Sequence, residues 1–140
     1  MITKKVALIL PYNDELEILF QNRKNITKPG NKDYGFFGGH LEEGETIEQA
    51  LAREIKEELE LDVNNLEELR FFKGYTSSEE LNVIRERHVF LCKMPDLKKI
   101  KVHEGKAEVF NINEAIKLNI SDMDKRILSE VLEEITKKNG

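Results

Sequence analysis

The order of apolar and polar positions along the chain predicts a mixture of strands and helices. The uninterrupted apolar run Val6–Leu10 is typical of a strand buried on both faces. Leu16–Arg23 also has strand character and follows turn-forming residues at 12–14, which predicts an opening hairpin. Residues 25–35 are rich in Asn, Lys, Pro, Gly and Asp, and they predict a long loop that leads to Phe36–Gly39.

The clearest helix is predicted over Thr46–Glu60. Thr46 is a suitable N-cap, acids at 45 and 48 suit the positive end of the helix dipole, and the interior has no Gly or Pro. One face of this helix is apolar and should meet the core. Its members are Ile47, Ala50, Leu51, Ile55 and Leu59.

Acidic residues interrupt this apolar face. Glu54 and Glu58 fall inside it and Glu57 lies at its border. Such carboxylates repel one another, and the cost grows when they are desolvated. A divalent cation such as Mg²⁺, which prefers oxygen ligands, would remove the repulsion. The alternative is a solvated helix rich in Glu and Lys.

The second half of the chain predicts a second hairpin, a further strand and a closing helix. Leu66–Tyr75 and Val83–Lys93 have strand character, with polar residues 77–80 between them. The later elements are a strand at Lys106–Asn111, a helical turn at Asn113–Leu118 and an amphipathic helix at Ser121–Lys137, where Ser121 and Asp124 resemble a capping box. This order favours an α/β fold with a mixed sheet packed between helices.

Length, charge and cysteine content narrow the class of protein. The 140 residues suit a single domain, 1–140, and 39% hydrophobic with 35% charged residues is compatible with a folded chain. A net charge of −5 argues against a nucleic-acid polymer or an anionic membrane as partner. Cys92 is the lone cysteine, so no internal disulfide forms, and no targeting segment or membrane span is evident. We therefore expect a cytoplasmic protein.

The segment from Gly39 to Leu61, GHLEEGETIEQALAREIKEELEL, resembles the Nudix box, G-x5-E-x7-R-E-U-x-E-E-x-G-U, where U is a bulky aliphatic residue. Eight of the nine specified positions agree: Gly39, Glu45, Arg53, Glu54, Ile55, Glu57, Glu58 and Leu61. Glu60 stands where the pattern has its second glycine. That glycine suits a left-handed helix exit, so Glu60 predicts either a strained conformation there or a different exit.

The resemblance implies a Nudix-type α/β/α sandwich and a MutT-like hydrolase that uses Mg²⁺, with Mn²⁺ as a substitute, to cleave a diphosphate linkage. By the family pattern Glu54, Glu57 and Glu58 bind the metal, the carbonyl of Gly39 completes its shell, and Arg53 orients a catalytic carboxylate. Arg53 lies four residues before Glu57, within reach of direct contact. Glu45 is implied as a supporting acid.

The general base is either a glutamate of the box or one from a late loop, and here the late-loop candidate is Glu104. An exposed loop acid is the alternative reading of this residue. Arg23, Lys28, Arg85 and Arg87 are candidates for binding phosphate or base, with solvated surface as the alternative. His40, His88 and His103 have no zinc-ligand spacing.

The substrate is weakly encoded, because recognition in this family lies outside the box. The expected reaction converts a nucleoside triphosphate to the monophosphate and pyrophosphate. Alternatives are hydrolysis of ADP-ribose or of a dinucleoside polyphosphate, a module that senses nucleotides without cleaving them, and an isomerase on the same fold. No proline occurs between Leu61 and Pro95, where ADP-ribose hydrolases of this type tend to carry one. We expect a monomer or homodimer.

Overall fold

The computed structural model describes residues 1–26 and 31–139. In this part of the chain, one mixed sheet contains seven strands: β1 Ile2–Tyr12, β2 Glu17–Asn22, β3 Tyr34–Gly35, β4 Phe37–His40, β5 Arg70–Glu80, β6 Val83–Lys93 and β7 Lys106–Asn111. The α-helices are α1 Ile47–Leu59, α2 Ile112–Ala115 and α3 Asp122–Asn139. Two short 3₁₀ turns lie at Val63–Asn65 and Leu97–Lys99.

β1 is the central strand, and it is buried on both faces as its apolar run predicted. Val6, Leu8 and Leu10 pack into one core, while Ala7 and Ile9 point to the other side. The first core is closed by α2 and α3, and the second by α1. The sheet therefore lies between helices, which confirms the predicted α/β/α sandwich.

The opening hairpin is confirmed at its base and separates beyond it. β1 and β2 pair antiparallel at Tyr12↔Ile18. From there β1 runs parallel to β6 along its whole length, from Ile2↔Val83 to Tyr12↔Lys93, while β2 pairs with β3 and β7. Each strand thus finds most of its hydrogen bonds with a strand distant in sequence, which local patterning does not reveal.

No strand was predicted at Phe36–Gly39, the segment to which the predicted loop leads. Phe37–His40 forms β4, antiparallel to β1 from Val6↔His40 to Ile9↔Phe37. Glycines usually weaken a strand, but here the neighbouring strand supplies the pairing. The glycine pair consequently lies in the sheet, directly beside α1.

The second hairpin is confirmed, but its first strand was placed too early. β5 begins at Arg70 and includes residues 77–80, which pair with β6 through a bulged register, so the turn is Leu81–Asn82. Asn82 has a φ of 64°, a conformation that asparagine tolerates better than most residues. Leu66 and Leu69 precede the strand and pack against the core beneath α1.

The two longer helices begin as predicted. The Thr46 hydroxyl accepts from the Gln49 N–H at 3.1 Å and the Gln49 side chain accepts from the Thr46 N–H at 2.9 Å, which completes a capping box on α1. At α3 the Ser121 hydroxyl accepts from the Asp124 N–H at 3.1 Å. No helix among the described residues is long and apolar enough to cross a membrane.

Candidate active site

The three glutamates of α1 that are predicted to bind metal differ in exposure, as their positions relative to the apolar face predict. Glu58 is buried, with 8% of its surface exposed, and the Glu54 side chain is 14% exposed. The Glu57 side chain, at the border of the face, is 59% exposed. The interior positions belong to Glu54 and Glu58, because residues four apart lie one above the other on the same face of a helix.

Glu58 is a buried carboxyl with an altered protonation equilibrium. Burial raises its pKa to about 8, and the nearby charges of Glu54 and Glu104 act in the same direction. The Gly38 N–H donates to its Oε2 at 3.1 Å and opposes this shift, as does the charge of Arg23. A neighbouring cation would restore the charged form of Glu58.

Gly39 leaves room for the carboxylate of Glu54. A Cβ atom at position 39 would lie 2.5 Å from Glu54 Oε1, well inside van der Waals contact. A side chain at position 39 would therefore displace the Glu54 carboxylate from its place beside β4. This close contact puts the backbone of Gly39 beside a carboxylate, although its role as a carbonyl ligand stays a prediction.

Arg53 connects the acids around the helix. Its strongest partner is Glu45, which accepts from Nε at 2.8 Å and from the second guanidinium nitrogen at 2.9 Å. This pairing, with a hydrogen bond from the Glu42 N–H, lowers the pKa of Glu45 to about 2 and raises the pKa of Arg53. Arg53 also donates to the carbonyl of His40 at 3.0 Å.

The same guanidinium contacts two of the three acids that are predicted to bind metal. Arg53 donates to Glu54 at 2.9 Å and to Glu57 at 3.4 Å, so the predicted contact with Glu57 is present but is the longer of the two. Glu45 precedes α1 and is not one of the acids on the helix face. It supports the site by orienting Arg53.

The residues fit a hard divalent cation in their donor chemistry. Carboxylates of Glu54 and Glu58 and the backbone at Gly38 and Gly39 meet at one place, and oxygen donors suit Mg²⁺ and Mn²⁺. Over residues 1–26 and 31–139, no group of three or more acidic, His or Cys side chains already has a metal-binding arrangement. In this arrangement Arg53 donates to Glu54 and Glu57.

A cleft of about 670 Å³ opens beside Gly38 and Gly39. Basic side chains from several elements line it, namely Arg23, Lys32, Arg85 and Arg87. Tyr34 and Phe36 add aromatic surface, and Asp124 lines it from the first turn of α3. The cleft therefore offers positive charge in a protein whose net charge is −5.

The structure brings three of the four predicted basic candidates into this cleft: Arg23, Arg85 and Arg87. Lys28 lies outside the described residues. Lys32 and Asp124 were missed, because a lysine in a polar loop and an acid in a first helical turn have ordinary structural explanations. Lys32 precedes β3 and Asp124 lies on α3, so the tertiary fold brings them to the same cleft.

Arg23 lies between the cleft and the acids. Burial lowers the pKa of its guanidinium, and the charges of Asp124, Glu58 and Glu104 oppose that shift. Nε donates to the Gln21 side chain at 2.6 Å and another nitrogen donates to the Phe36 carbonyl at 2.7 Å. A charged guanidinium that is buried and fixed in this way suits an anionic group of a ligand.

The sequence did not single out Gln21, whose visible signal was a polar residue directly after the apolar positions Ile18–Phe20. It is buried, with 3% of its surface exposed. Its oxygen accepts from Arg23, and its nitrogen donates to the Glu104 carbonyl at 2.9 Å. Gln21 therefore connects the cleft to the loop that carries the late-loop candidate base.

Glu104 lies near enough to Glu58 and Arg23 for its charge to affect the pKa of each. Glu104 is exposed, which is also compatible with the alternative that it is an ordinary acid of a surface loop. Cys92, in contrast, is buried and free, and burial raises the pKa of its thiol to about 12, which makes a nucleophilic role unfavourable at neutral pH.

Fold and site together define an α/β/α protein in which an acidic helix face borders a basic cleft. Residues 2–131 match the family described as NUDIX domain. The chain therefore belongs to the Nudix family, as its box predicted, and this assignment supports a pyrophosphohydrolase. Members of this family generally use divalent metal ions.

Solved structures show the same fold. A MutT structure from a study of Aliivibrio salmonicida and Vibrio cholerae is 20% identical, with TM-score 0.72, and covers 94% of this chain and 98% of its own. The E. coli dihydroneopterin triphosphate pyrophosphohydrolase is 22% identical, with TM-score 0.67, and the match covers 93% of this chain and 97% of that enzyme. A C. elegans Ap4A hydrolase is 17% identical, with TM-score 0.72 and coverages of 98% and 99%. No curated protein matches the sequence.

Proposed function

We propose that this protein hydrolyses a nucleoside triphosphate to the monophosphate and pyrophosphate with the help of Mg²⁺, in a MutT-like reaction. The observation that carries the proposal is Glu58, a buried carboxyl with a raised pKa beside a cleft lined by arginine and lysine. A buried acid without a matched cation is costly in a purely structural role. It is useful when a metal ion and a polyphosphate bind together.

Glu54 and Glu58 are the leading proposed metal ligands, with Glu57 and the carbonyl of Gly39 completing the set. When bound, Mg²⁺ or Mn²⁺ would lower the pKa of a water molecule and stabilise charge on phosphate oxygens. Arg53 is proposed to keep Glu54 and Glu57 oriented toward the site, since it already donates to both. Glu45 in turn holds Arg53.

The reaction proposed is attack by water on one phosphorus of the linkage between the α- and β-phosphates. A bond forms from the water oxygen to that phosphorus, and its bond to the bridging oxygen breaks, so that the bridging oxygen leaves with the other product. A glutamate accepts the proton of the water. Glu104 is the proposed base because its charge acts both on Glu58, at the acidic helix face, and on Arg23, at the cleft.

The basic cleft supports a substrate with several phosphates. Arg23, Lys32, Arg85 and Arg87 come from three segments of the chain and line one opening. The similar structures include MutT, dihydroneopterin triphosphate and Ap4A hydrolases. These names do not select one substrate, so the triphosphate is proposed from the cleft. ADP-ribose, dinucleoside polyphosphates and binding without cleavage are the competing outcomes of the test.

A nucleotide panel tests the proposal. Purified protein is incubated with Mg²⁺ and each of the deoxy- and ribonucleoside triphosphates, oxidised triphosphates, ADP-ribose and a dinucleoside polyphosphate, and products are separated by ion-exchange chromatography. We expect monophosphate and pyrophosphate in equal amounts from a triphosphate. The double variant Glu54→Gln/Glu58→Gln controls for contaminating phosphatases and should be inactive.

Other results of this panel identify the alternatives. Cleavage of ADP-ribose or the dinucleoside polyphosphate alone would replace the proposed substrate. Tight binding in calorimetry with no product would indicate a sensing module.

We further propose one domain over 1–140, as a monomer or homodimer in the cytoplasm, where the free thiol of Cys92 stays reduced.

A further inference from the structure

Glu60 departs from the box pattern without changing the helix exit. It caps α1 with φ 52° and ψ 36°, the left-handed conformation for which the family pattern uses glycine, and its N–H donates to the Lys56 carbonyl at 3.1 Å. This conformation is unfavourable for residues that carry a Cβ atom. A residue kept in such a conformation at the edge of a site suggests a functional reason.

The Glu60 side chain has a specific partner. Its Oε2 lies 2.5 Å from Nε2 of His103, and the two side chains are 41% and 55% exposed. An exposed ion pair adds little to the stability of a fold. Stability is therefore a poor explanation for a glutamate at this position. The position of its partner, His103, indicates another role for the contact.

His103 belongs to the segment Lys101–Gly105, which lies against the end of α1. The Lys101 N–H donates to the Leu59 carbonyl at 3.1 Å, and the His103 N–H donates to the Glu58 carbonyl at 3.0 Å. Glu104, the next residue, has its carbonyl fixed by Gln21. This segment thus runs from the helix end to the proposed base.

Gly105 fixes the other end of the segment. It has a φ of +67°, and a Cβ atom there would lie 2.3 Å from the Asn22 carbonyl oxygen. The backbone on both sides of Glu104 is therefore anchored, to α1 and to β2. The Glu60–His103 contact adds a side-chain restraint on the residue just before Glu104.

We propose that Glu60 is a positioning residue, which holds His103 and so orients Glu104 toward Glu58. The inference rests on the proposed function, since it assigns Glu104 to the reaction. It explains why a glutamate takes the place of a glycine that would suit the backbone better. Glu60 itself contacts neither substrate nor metal in this scheme.

The variant Glu60→Gly separates positioning from stability. Glycine relaxes the left-handed residue, so Tm should stay the same or rise by about 2–4 °C. Turnover should nevertheless fall about five- to twentyfold, with KM within twofold, because the base is no longer oriented. Hydrogen exchange at the amides of 102–104 should become faster.

Glu68→Gly is the matched control. Glu68 also has a left-handed φ, 56°, and the change removes the same charge and side chain at a position outside the site. Its Tm should respond similarly, while kcat and hydrogen exchange at 102–104 stay as in the wild type. Glu60→Gln keeps a hydrogen-bond acceptor for His103 and should recover most of the lost turnover.

His103→Ala tests the partner. It should reproduce the fall in kcat, and combining it with Glu60→Gly should add little, since both remove one contact. The inference is overturned if Glu60→Gly lowers kcat less than threefold, if it lowers Tm in parallel with kcat, or if Glu104→Gln retains wild-type turnover. Absence of hydrolysis by the wild type would refute the proposed function instead, and the exchange measurement would still report on the contact.

Discussion

Glu58 and Glu130 are glutamates on helices that pack against opposite faces of one sheet, and their surroundings differ. Glu130 on α3 accepts from Lys73, from the Tyr75 hydroxyl at 3.1 Å and from Arg126 at 3.0 Å. These bonds, that from Lys73 above all, lower its pKa. Among the residues that the structure describes, Glu58 on α1 has one backbone donor and no ion pair, and burial raises its pKa.

The difference separates a structural acid from a functional one. The Glu130 cluster joins α3 to β5, and its cations also lie over the ring of Tyr75. The negative charge of Glu130 is matched within the chain by Lys73 and Arg126. The acids around Glu58 are only partly balanced by Arg53 and Arg23, which leaves a deficit of positive charge that a cation can supply.

The largest expected effect comes from Glu58→Gln. Loss of a metal ligand should lower kcat/KM by about 10²–10³-fold, because metal ions contribute several kcal/mol to phosphoryl reactions. Stability without metal should stay the same or rise, since a neutral amide replaces a buried acid. Steady-state kinetics and thermal unfolding in EDTA measure the two effects.

Glu130→Gln is the matched control for this prediction, with the same change on the other face of the sheet. It should lower the free energy of unfolding by about 1 kcal/mol and leave kcat/KM within twofold. If Glu130→Gln impairs turnover as strongly as Glu58→Gln, the contrast between the two acids is wrong.

A smaller effect is expected from Arg53→Lys. Lysine keeps the charge but loses the paired hydrogen bonds to Glu45 and the reach to Glu54, so orientation of the acids should suffer. We expect kcat/KM to fall about 10–100-fold with a higher Mg²⁺ concentration for half-maximal activity. A metal titration of initial rates measures this, and an unchanged titration curve would remove Arg53 from its proposed role.

The last expected effect, which is small for each unit of pH, concerns stability. In EDTA, folded Glu58 keeps its proton up to a pKa of about 8, whereas the unfolded chain loses it near 4.5. The contribution of Glu58 is therefore present below 4.5 and is lost as pH rises toward 8, by at most about 1.4 kcal/mol per pH unit. Glu130, with its lowered pKa, loses its contribution as pH falls.

Thermal unfolding from pH 4 to pH 8.5 measures both trends. Glu58→Gln should flatten the alkaline part of the profile, and Mg²⁺ should stabilise the wild type most at the alkaline end. Glu130→Gln should flatten the acidic part. Parallel profiles for the wild type and Glu58→Gln would contradict the raised pKa.

Much of the fold could be predicted because its signals are local. The capping residue Thr46, the limits of β6 and β7, and the two-sided burial of Val6–Leu10 follow from propensity and periodicity. The strand β4 was missed since Gly38 and Gly39 lack strand propensity, and pairing with β1 decides their conformation. The first strand of the second hairpin was misplaced because cross-strand pairing extends it through polar residues.

The candidate site divides in the same way. Glu54, Glu57, Glu58 and Arg53 lie on one helix, so their spacing in the sequence is also their arrangement in space, and helix geometry predicted which of them are buried. Whether they bind metal is left to experiment. Gln21, Lys32 and Asp124 could not be assigned, because each has an ordinary local explanation and their relation arises from contacts between distant segments.

The sequence by itself determined the family, the acidic helix and the anomaly at Glu60, since all three depend on residue types at fixed short spacing. Tertiary structure decided what surrounds them. It buried Glu58 beneath β4, joined Arg23 to Glu104 through Gln21, and brought His103 to Glu60 across 43 positions of chain. Such contacts depend on how the sheet is paired, because burial and electrostatic balance are properties of neighbours in space.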